Sequence, residues 1–447
     1  MTATSYASLA ADFLTGKSSP SDFLETCLAR IAEREPQIGA FVTLDIESAR
    51  AQAKASSARW LSGHPLSPID GMPVGVKDII ETADMPTGQG SPMWEGFEGA
   101  RDAATVQALR EAGAIMLGKT TTTEFASSPS FAKTVNPHDA TRTPGGSSSG
   151  STAAVGANFV PLALGSQVVG STLRPSSFCG CFAFKPSVGG LNRGGTYDYL
   201  SHSCVGLIGT TLEDIWLSAK AIATRAGGDP GYLGLTGPAT LPGAQAPRKL
   251  LVLETDGWSR ATPGAIAAFT AVREKLASAG IELIDRRSDE ETEDFERMIV
   301  DIRTLSNTIL SWETRWPLGG YVRRDASKIH PLTLARFNEA KSLTQDDYNK
   351  ALEQRQALRN AFAKLMSKAD AVVTLAATGA APVGLGSTGD PGFNIPASML
   401  GVPGLTLPIL ADEGLPLGLQ LVGRSNEDAG LFGLAAWVLK WHASSLS

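Results

Sequence analysis

Three stretches of this chain hold residue types whose spacing could do chemistry. Residues 113–120, GAIMLGKT, fit the G-x-x-x-x-G-K-[ST] pattern of a phosphate-binding loop. Gly146-Ser-Ser148-Ser-Gly150 fits the G-x-S-x-G pattern of a nucleophile elbow, with His202, His330 or His442 available as base. Lys77 lies in the apolar run IDGMPVGVKDII, residues 69–80. A lysine can accept a proton only when neutral, and burial among Val74, Val76 and Ile79 would push it that way by desolvation. On an exposed strand edge it would simply stay charged.

Context separates these candidates. A phosphate loop needs polar, flexible residues between a strand and a helix, whereas the spacers of GAIMLGKT are apolar and follow a helical stretch. An elbow must follow an apolar strand, and NPHDATRTPG, residues 136–145, cannot be one. By composition alone GGSSSGS would be a flexible linker. It stands instead between structured segments and is followed by a second tight Gly-Ser segment, GSQVVGS at residues 165–171. Linkers do not normally come paired with another turn inside an apolar core. Cys179-Gly-Cys181 lacks the spacing of a zinc knuckle, and with Cys27 and Cys204 it is read as a set of buried, inert thiols.

The surrounding elements follow from pattern. Ser19-Pro20-Ser21-Asp22 supplies an N-cap with proline at the first helical position, and Phe23, Leu24, Cys27, Leu28 and Ile31 share one helical face. Residues 69–80 suit a buried strand carrying Lys77. Asp102 is expected to cap a helix through Val106 and Leu109 that ends at Gly113, with Ala114–Leu117 as the next strand. TPGGSSSGSTAAVGA passes from loop to small-residue helix, and VPLALGS forms a further strand. This alternation predicts an α/β architecture with helices covering both sheet faces. Gly and Pro recur over 227–248, a weak candidate boundary, and amphipathic helices fill much of 260–368. Apolar strands return at Ala371–Leu375, Leu405–Leu410 and Gly418–Val422, and are expected to complete the first sheet.

With 447 residues the chain can bury a large core. Its 39 basic and 45 acidic residues are mixed along the chain for a net charge of −6, with no basic stripe suited to nucleic acid. The N-terminal residues lack the basic and apolar regions of a signal peptide, and no run reaches about 18 apolar residues. The expectation is a cytoplasmic protein that engages neither nucleic acid nor membrane.

Taken together, GMPVGVKDII, GAIMLGKT, TPGGSSSGS, PLALGS-x3-GS-x2-RP and FCG-x3-FKPS resemble the amidase signature family in order and spacing, densely over about 60–210. VPGLTLPI and GLPLGLQLVG are similar to that family's closing strands. The resemblance implies one amidase domain over 1–447, a mixed central sheet sandwiched between helices, with a variable helical segment at about 260–368. It implies a Ser, cis-Ser, Lys triad at Ser171, Ser147 and Lys77, a cis peptide at Gly146–Ser147, and an oxyanion hole from the backbone of Val168, Val169 and Gly170. It implies no cofactor and no metal.

Arg174 matches an arginine that binds a substrate carboxylate in the malonamidase-like branch. The expected activity is hydrolysis of a small amide, a carboxylate-bearing one included, to acid and ammonia, by a chain that a homodimer would also suit. The rival readings are a non-catalytic binding protein and an amidotransferase A-type subunit. Val169, a β-branched residue where the family commonly has Gly or Ala, raises the first, because it disfavours positive φ and projects bulk toward a substrate. Gln167, where the A-type subunits usually carry Asp, counts against the second.

Overall fold

The computed structural model describes residues 5–127, 130–198 and 200–444. Among these residues eleven strands form one mixed sheet: β1 (Phe41–Leu44), β2 (Pro73–Lys77), β3 (Ile115–Thr120), β4 (Leu162–Gln167), β5 (Phe182–Lys185), β6 (Cys204–Gly209), β7 (Lys249–Leu251), β8 (Glu282–Ile284), β9 (Ala371–Leu375), β10 (Gly404–Asp412) and β11 (Leu415–Val422). Their order is β1-β3-β2-β4-β6-β5-β10-β11-β9-β7-β8. The C-terminal strands do complete the sheet begun by β1–β6. Because β7 and β8 extend it past β9, the Gly/Pro-rich stretch 227–248 joins two parts of one sheet.

Parallel strands need both faces covered, and the sequence of β2, β3 and β4 is accordingly buried throughout. Successive side chains divide between two cores. Met116 enters one and Ile115 and Leu117 the other; Leu162 and Leu164 enter the first and Ala163 the second. The helices Pro20–Ile38, Ser149–Gly156 and Leu173–Cys179 contribute Leu24, Ala153 and Leu173 to one core. Ala104–Glu111, Leu212–Ala226 and Asp428–Ser444 contribute Leu109, Trp216 and Phe432 to the other. Ser19 caps the first of these helices by accepting from Asp22 N–H, and of the five residues expected on one face Leu24, Cys27, Leu28 and Ile31 are buried, while Phe23 is half-buried and packs against the other core.

Asp102 does not cap a helix. Ala103 holds the cap position of Ala104–Glu111 without a side-chain bond, while Asp102 accepts from Ala83 N–H and pairs with Arg110. A carboxylate offered an arginine on the helix that follows it gains an ion pair that an N-cap position would forgo. GAIMLGKT lies in β3 and the turn before it, with the Lys119 ammonium on Pro86 O and Thr87 Oγ1 and 3.4 Å from Asp78, so it forms no phosphate loop. All four cysteines are free and buried, and burial pushes the thiols of Cys27 and Cys179 up to about 12.

One glycine sets how closely the helix Ser149–Gly156 approaches the sheet. A Cβ on Gly150 would overlap the Ala40 carbonyl and the Thr121 N–H, both backbone atoms that cannot turn aside. Gly150→Ala is therefore expected to cost about 3 kcal/mol, the upper part of the overpacking range, read as a lower urea midpoint at unchanged slope. An unchanged midpoint would mean that the helix is free to lift.

Candidate active site

The parallel register of β2 and β4 puts the carboxyl end of β2, at Lys77, beside that of β4, where the chain turns through Val168–Ser171. Ligand sites of open α/β sheets form at such ends. Val74 and Val76 point into one core, which leaves Lys77 on the opposite face, over which the helix Ser149–Gly156 packs. The Gly/Ser run ahead of that helix supplies three small residues that tolerate burial.

Lys77 is fully buried, and its ammonium lies 2.7 Å from Ser147 Oγ, 2.9 Å from Ser166 Oγ and 3.1 Å from Ser148 Oγ. Burial draws its pKa down to about 7, against the partial opposition of the Asp198 carboxylate. The Gly146–Ser147 peptide is cis, as the resemblance implies. The Ser147 carbonyl accepts from Thr122 Oγ1 at 3.0 Å and from Thr123 N–H at 3.3 Å.

Ser171 is half-buried, and its carbonyl accepts from Ser148 N–H at 3.3 Å. Its hydroxyl makes no hydrogen bond to Ser147 Oγ among the described residues. The peptides before it are held from behind. Val169 O accepts from Ser398 Oγ at 2.8 Å and Gly170 O from Arg174 N–H at 3.1 Å. Gln167 is the organiser of this turn: its Oε1 accepts from Thr172 and Leu173 N–H, and its Nε2 donates to Ser398. A Cβ on Gly170 would meet Asn394 Oδ1 at 2.8 Å and Arg174 Nη1 at 3.1 Å, so the position needs glycine for space. None of Val168, Val169, Gly170 and Ser171 has positive φ, and Val169 packs against the apolar cluster of Ile302, Leu305 and Met399. Its β-branched side chain is thus accommodated without strain.

Arg174 is buried, with Nε on Thr388 O at 2.8 Å and Nη2 on Gly146 O at 2.7 Å and Thr388 Oγ1 at 3.2 Å. Desolvation lowers its pKa to about 10. The guanidinium thereby ties the peptide that carries Ser147 to the loop at Thr388.

The elbow reading fails on geometry as well as context. Ser148 is fully buried, and its hydroxyl is spent on Lys77 and on the backbone of Ser166. His202 is buried against Arg355 with its pKa depressed to about 3, first by desolvation, and His330 uses Nδ1 to accept from Leu332 N–H.

Two neighbours of the lysine escaped sequence reasoning. Ser166 had a signal, a polar residue inside the otherwise apolar VPLALGS strand. Asp198, buried with its carboxylate on Ser203 Oγ, had none, because 121 residues separate it from Lys77 and only the fold brings their charges together.

A mixed sheet between helices, with a buried lysine on the serine of a cis Gly-Ser peptide and a second Gly-Ser turn beside it, defines an α/β amidase-type fold and site. The family model described as Amidase matches residues 22–432, and the chain belongs to the amidase signature family. It is 31% identical over 480 residues to the A-type subunit of the glutamyl-tRNA(Gln) amidotransferase of Chloroflexus aggregans, covering 96% of this chain and 94% of that protein. Among solved structures, one described as the crystal structure of an amidase superposes with a TM-score of 0.84 at 26% identity, covering 98% of this chain and 99% of that one. Another, from work on a vestigial protein complex and the origins of an s-triazine catabolic enzyme, gives a TM-score of 0.84 at 28% identity, covering 98% of each chain. The expected nearness to the malonamidase-like branch is not what these relatives show. The Chloroflexus relative is similar despite Gln167, whose amide oxygen supplies the turn with an acceptor.

Proposed function

We propose that this chain hydrolyses a small amide to acid and ammonia through an acyl-serine intermediate. The observation that carries the reading is the buried Lys77 ammonium 2.7 Å from Ser147 Oγ, on a lysine whose pKa falls to about 7. Ser171 Oγ attacks the amide carbon while its proton passes to Ser147 and the Ser147 proton passes to neutral Lys77. The oxyanion is met by the N–H groups of Val168, Val169 and Gly170, and the bond from Ser398 Oγ to Val169 O supports the peptide plane that carries the Gly170 N–H. The C–N bond then breaks, the nitrogen takes the proton back along the same relay, and ammonia leaves. Water repeats the attack on the acyl group and releases the acid.

The second reading, an A-type subunit of an amidotransferase, is favoured by the similarity to proteins of that description. Such a chain would need partners to use the ammonia. The reading as a non-catalytic binding protein loses its motive, since Val169 packs into the protein. Ammonia release by the purified chain from simple amides tests the first reading. Steady turnover without partners supports it; silence alone, with turnover when partner proteins and their acceptor are added, supports the second.

For Arg174 the same assay distinguishes two roles. Its bonds to Gly146 and Thr388 support a positioning role, so Arg174→Ala is expected to reduce kcat/KM on neutral and anionic amides alike. A selective loss on anionic amides of about 1.5–3 kcal/mol would instead give it the carboxylate-binding role that the resemblance implies.

A further inference from the structure

Away from Lys77, the helix Pro20–Ile38 and the connection that leads from the helix Ser149–Gly156 into β4 border a cavity of about 260 Å³ that opens on solvent. It lies at the far edge of the sheet. Leu162 at the start of β4 pairs with Gly209 at the end of β6, whereas the turn toward Ser171 begins beyond Gln167, five residue steps and about 17 Å further along the strand. The cavity is therefore separate from the candidate active site.

Its walls are of two kinds. Leu9, Phe23, Val160 and Pro161 make an apolar side, and Arg30 and Asn158 stand together on a polar one. Arg30 is half-buried, and its guanidinium makes one hydrogen bond among the described residues, from Nη1 to Asn158 O at 3.3 Å, with no carboxylate in ion-pair range. Most of its five N–H donors are left over. The Asn158 side-chain amide has no partner among the described residues either, and both groups remain within reach of solvent. Asp22 also lines the cavity, but it is otherwise engaged. It lies in the first turn of its helix, eight residues and about 12 Å of helix from Arg30, and its carboxylate accepts from Ser19 Oγ at 2.7 Å.

A guanidinium and an amide side by side, facing an open space with apolar walls, suit a carboxylate attached to hydrocarbon. We infer that this cavity is a binding site for a small carboxylate with an apolar body, the carboxylate on Arg30 and Asn158 and the hydrocarbon against Leu9, Phe23, Val160 and Pro161. At about 260 Å³ the space falls below the usual range for drug-sized ligands, so short-chain and single-ring acids fit it. Asn158 has φ 58°, a left-handed backbone that glycine takes at less cost, and asparagine there keeps an amide at the wall. Inorganic phosphate would leave the apolar side uncovered. Occupancy of this cavity does not depend on the reaction at Ser171.

Calorimetry on the full chain tests the site with hexanoate, hexanol and inorganic phosphate as probes. Hexanoate is expected to bind, with hexanol and phosphate weaker by about tenfold or more. Arg30→Met should weaken hexanoate by about tenfold or more and leave hexanol unchanged, as expected when a hydrogen bond to a charged group is lost. Asn158→Gly keeps the left-handed backbone and should weaken hexanoate by about threefold or more, so the site stays testable if the arginine variant does not fold. Arg174→Ala should bind hexanoate as the unaltered protein does. Binding that survives both cavity variants, or that is lost in Arg174→Ala and kept in Arg30→Met, would put the carboxylate elsewhere and overturn the site. Absence of hexanoate binding, or equal binding of hexanol or phosphate, would overturn it too.

Discussion

Replacing Lys77 by alanine is expected to slow acylation by about 10²–10⁴-fold, the usual contribution of a positioned base, because no other group lies ready to take the relayed proton. Ser148 and Ser166 also lie within 3.1 Å of the ammonium, but a neutral hydroxyl is no substitute for an amine as base. Lys77→Arg should be almost as damaging, since guanidinium remains protonated at any working pH. The pH profile gives the sign. Desolvation lowers the lysine pKa to about 7, so below that value the group is protonated and cannot accept, and acylation rises with pH until it levels above about 7. A free lysine would place that limb more than three units higher. The double replacement Lys77→Ala with Ser147→Ala should lose little more than the worse single one, because members of one relay are not additive. Additive losses, or a Lys77→Arg protein with near-normal acylation measured by single-turnover kinetics, would show that the lysine contributes charge or packing only.

Ser171→Ala should abolish hydrolysis, with a fall of up to about 10⁶-fold as expected when a nucleophile is removed. The change deletes one oxygen from a half-buried side chain, so its cost in stability should stay within about 0.5 kcal/mol. Circular dichroism and the urea midpoint check that the loss is chemical. A fluorophosphonate probe should label the unaltered protein at Ser171 and leave the variant unlabelled. Substitution of His202, His330 or His442 singly should leave substantial activity, because the proposed relay uses no imidazole. Retained hydrolysis in Ser171→Ala would return attention to Ser148, although its full burial and its bonds to Lys77 and Ser166 leave it no path to a substrate.

The features of the site that the chain declares openly are local ones. Lys77 ends a run whose β-branched and glycine spacing belongs to a buried strand, and the paired Gly-Ser segments reject the linker reading by their position between strands and helices. Those patterns depend on a few consecutive residues, so the helix at Pro20, the strands β2, β3 and β4 and the closing strands β9–β11 were all legible. Asp102 shows the limit of the same reasoning, since a capping residue type in the right place was taken by Arg110 instead.

What only the tertiary structure decided lies between residues far apart in the chain. The depth of Lys77, and with it a pKa near neutrality, depends on the helix and strands that close around it, and on an Asp198 charge supplied from 121 residues away. The destination of Arg174 was likewise undetermined, because its partner Thr388 is 214 residues distant. Whether Val169 projects toward a substrate or points into the core was open in the sequence, and its packing against the cluster that holds Ile302, Leu305 and Met399 decided for the core. The physical reason is common to all of these. Backbone preference and hydrophobic periodicity are properties of short segments, whereas desolvation, long-range charge and the partner of a buried polar group are set by whatever the sheet order brings alongside.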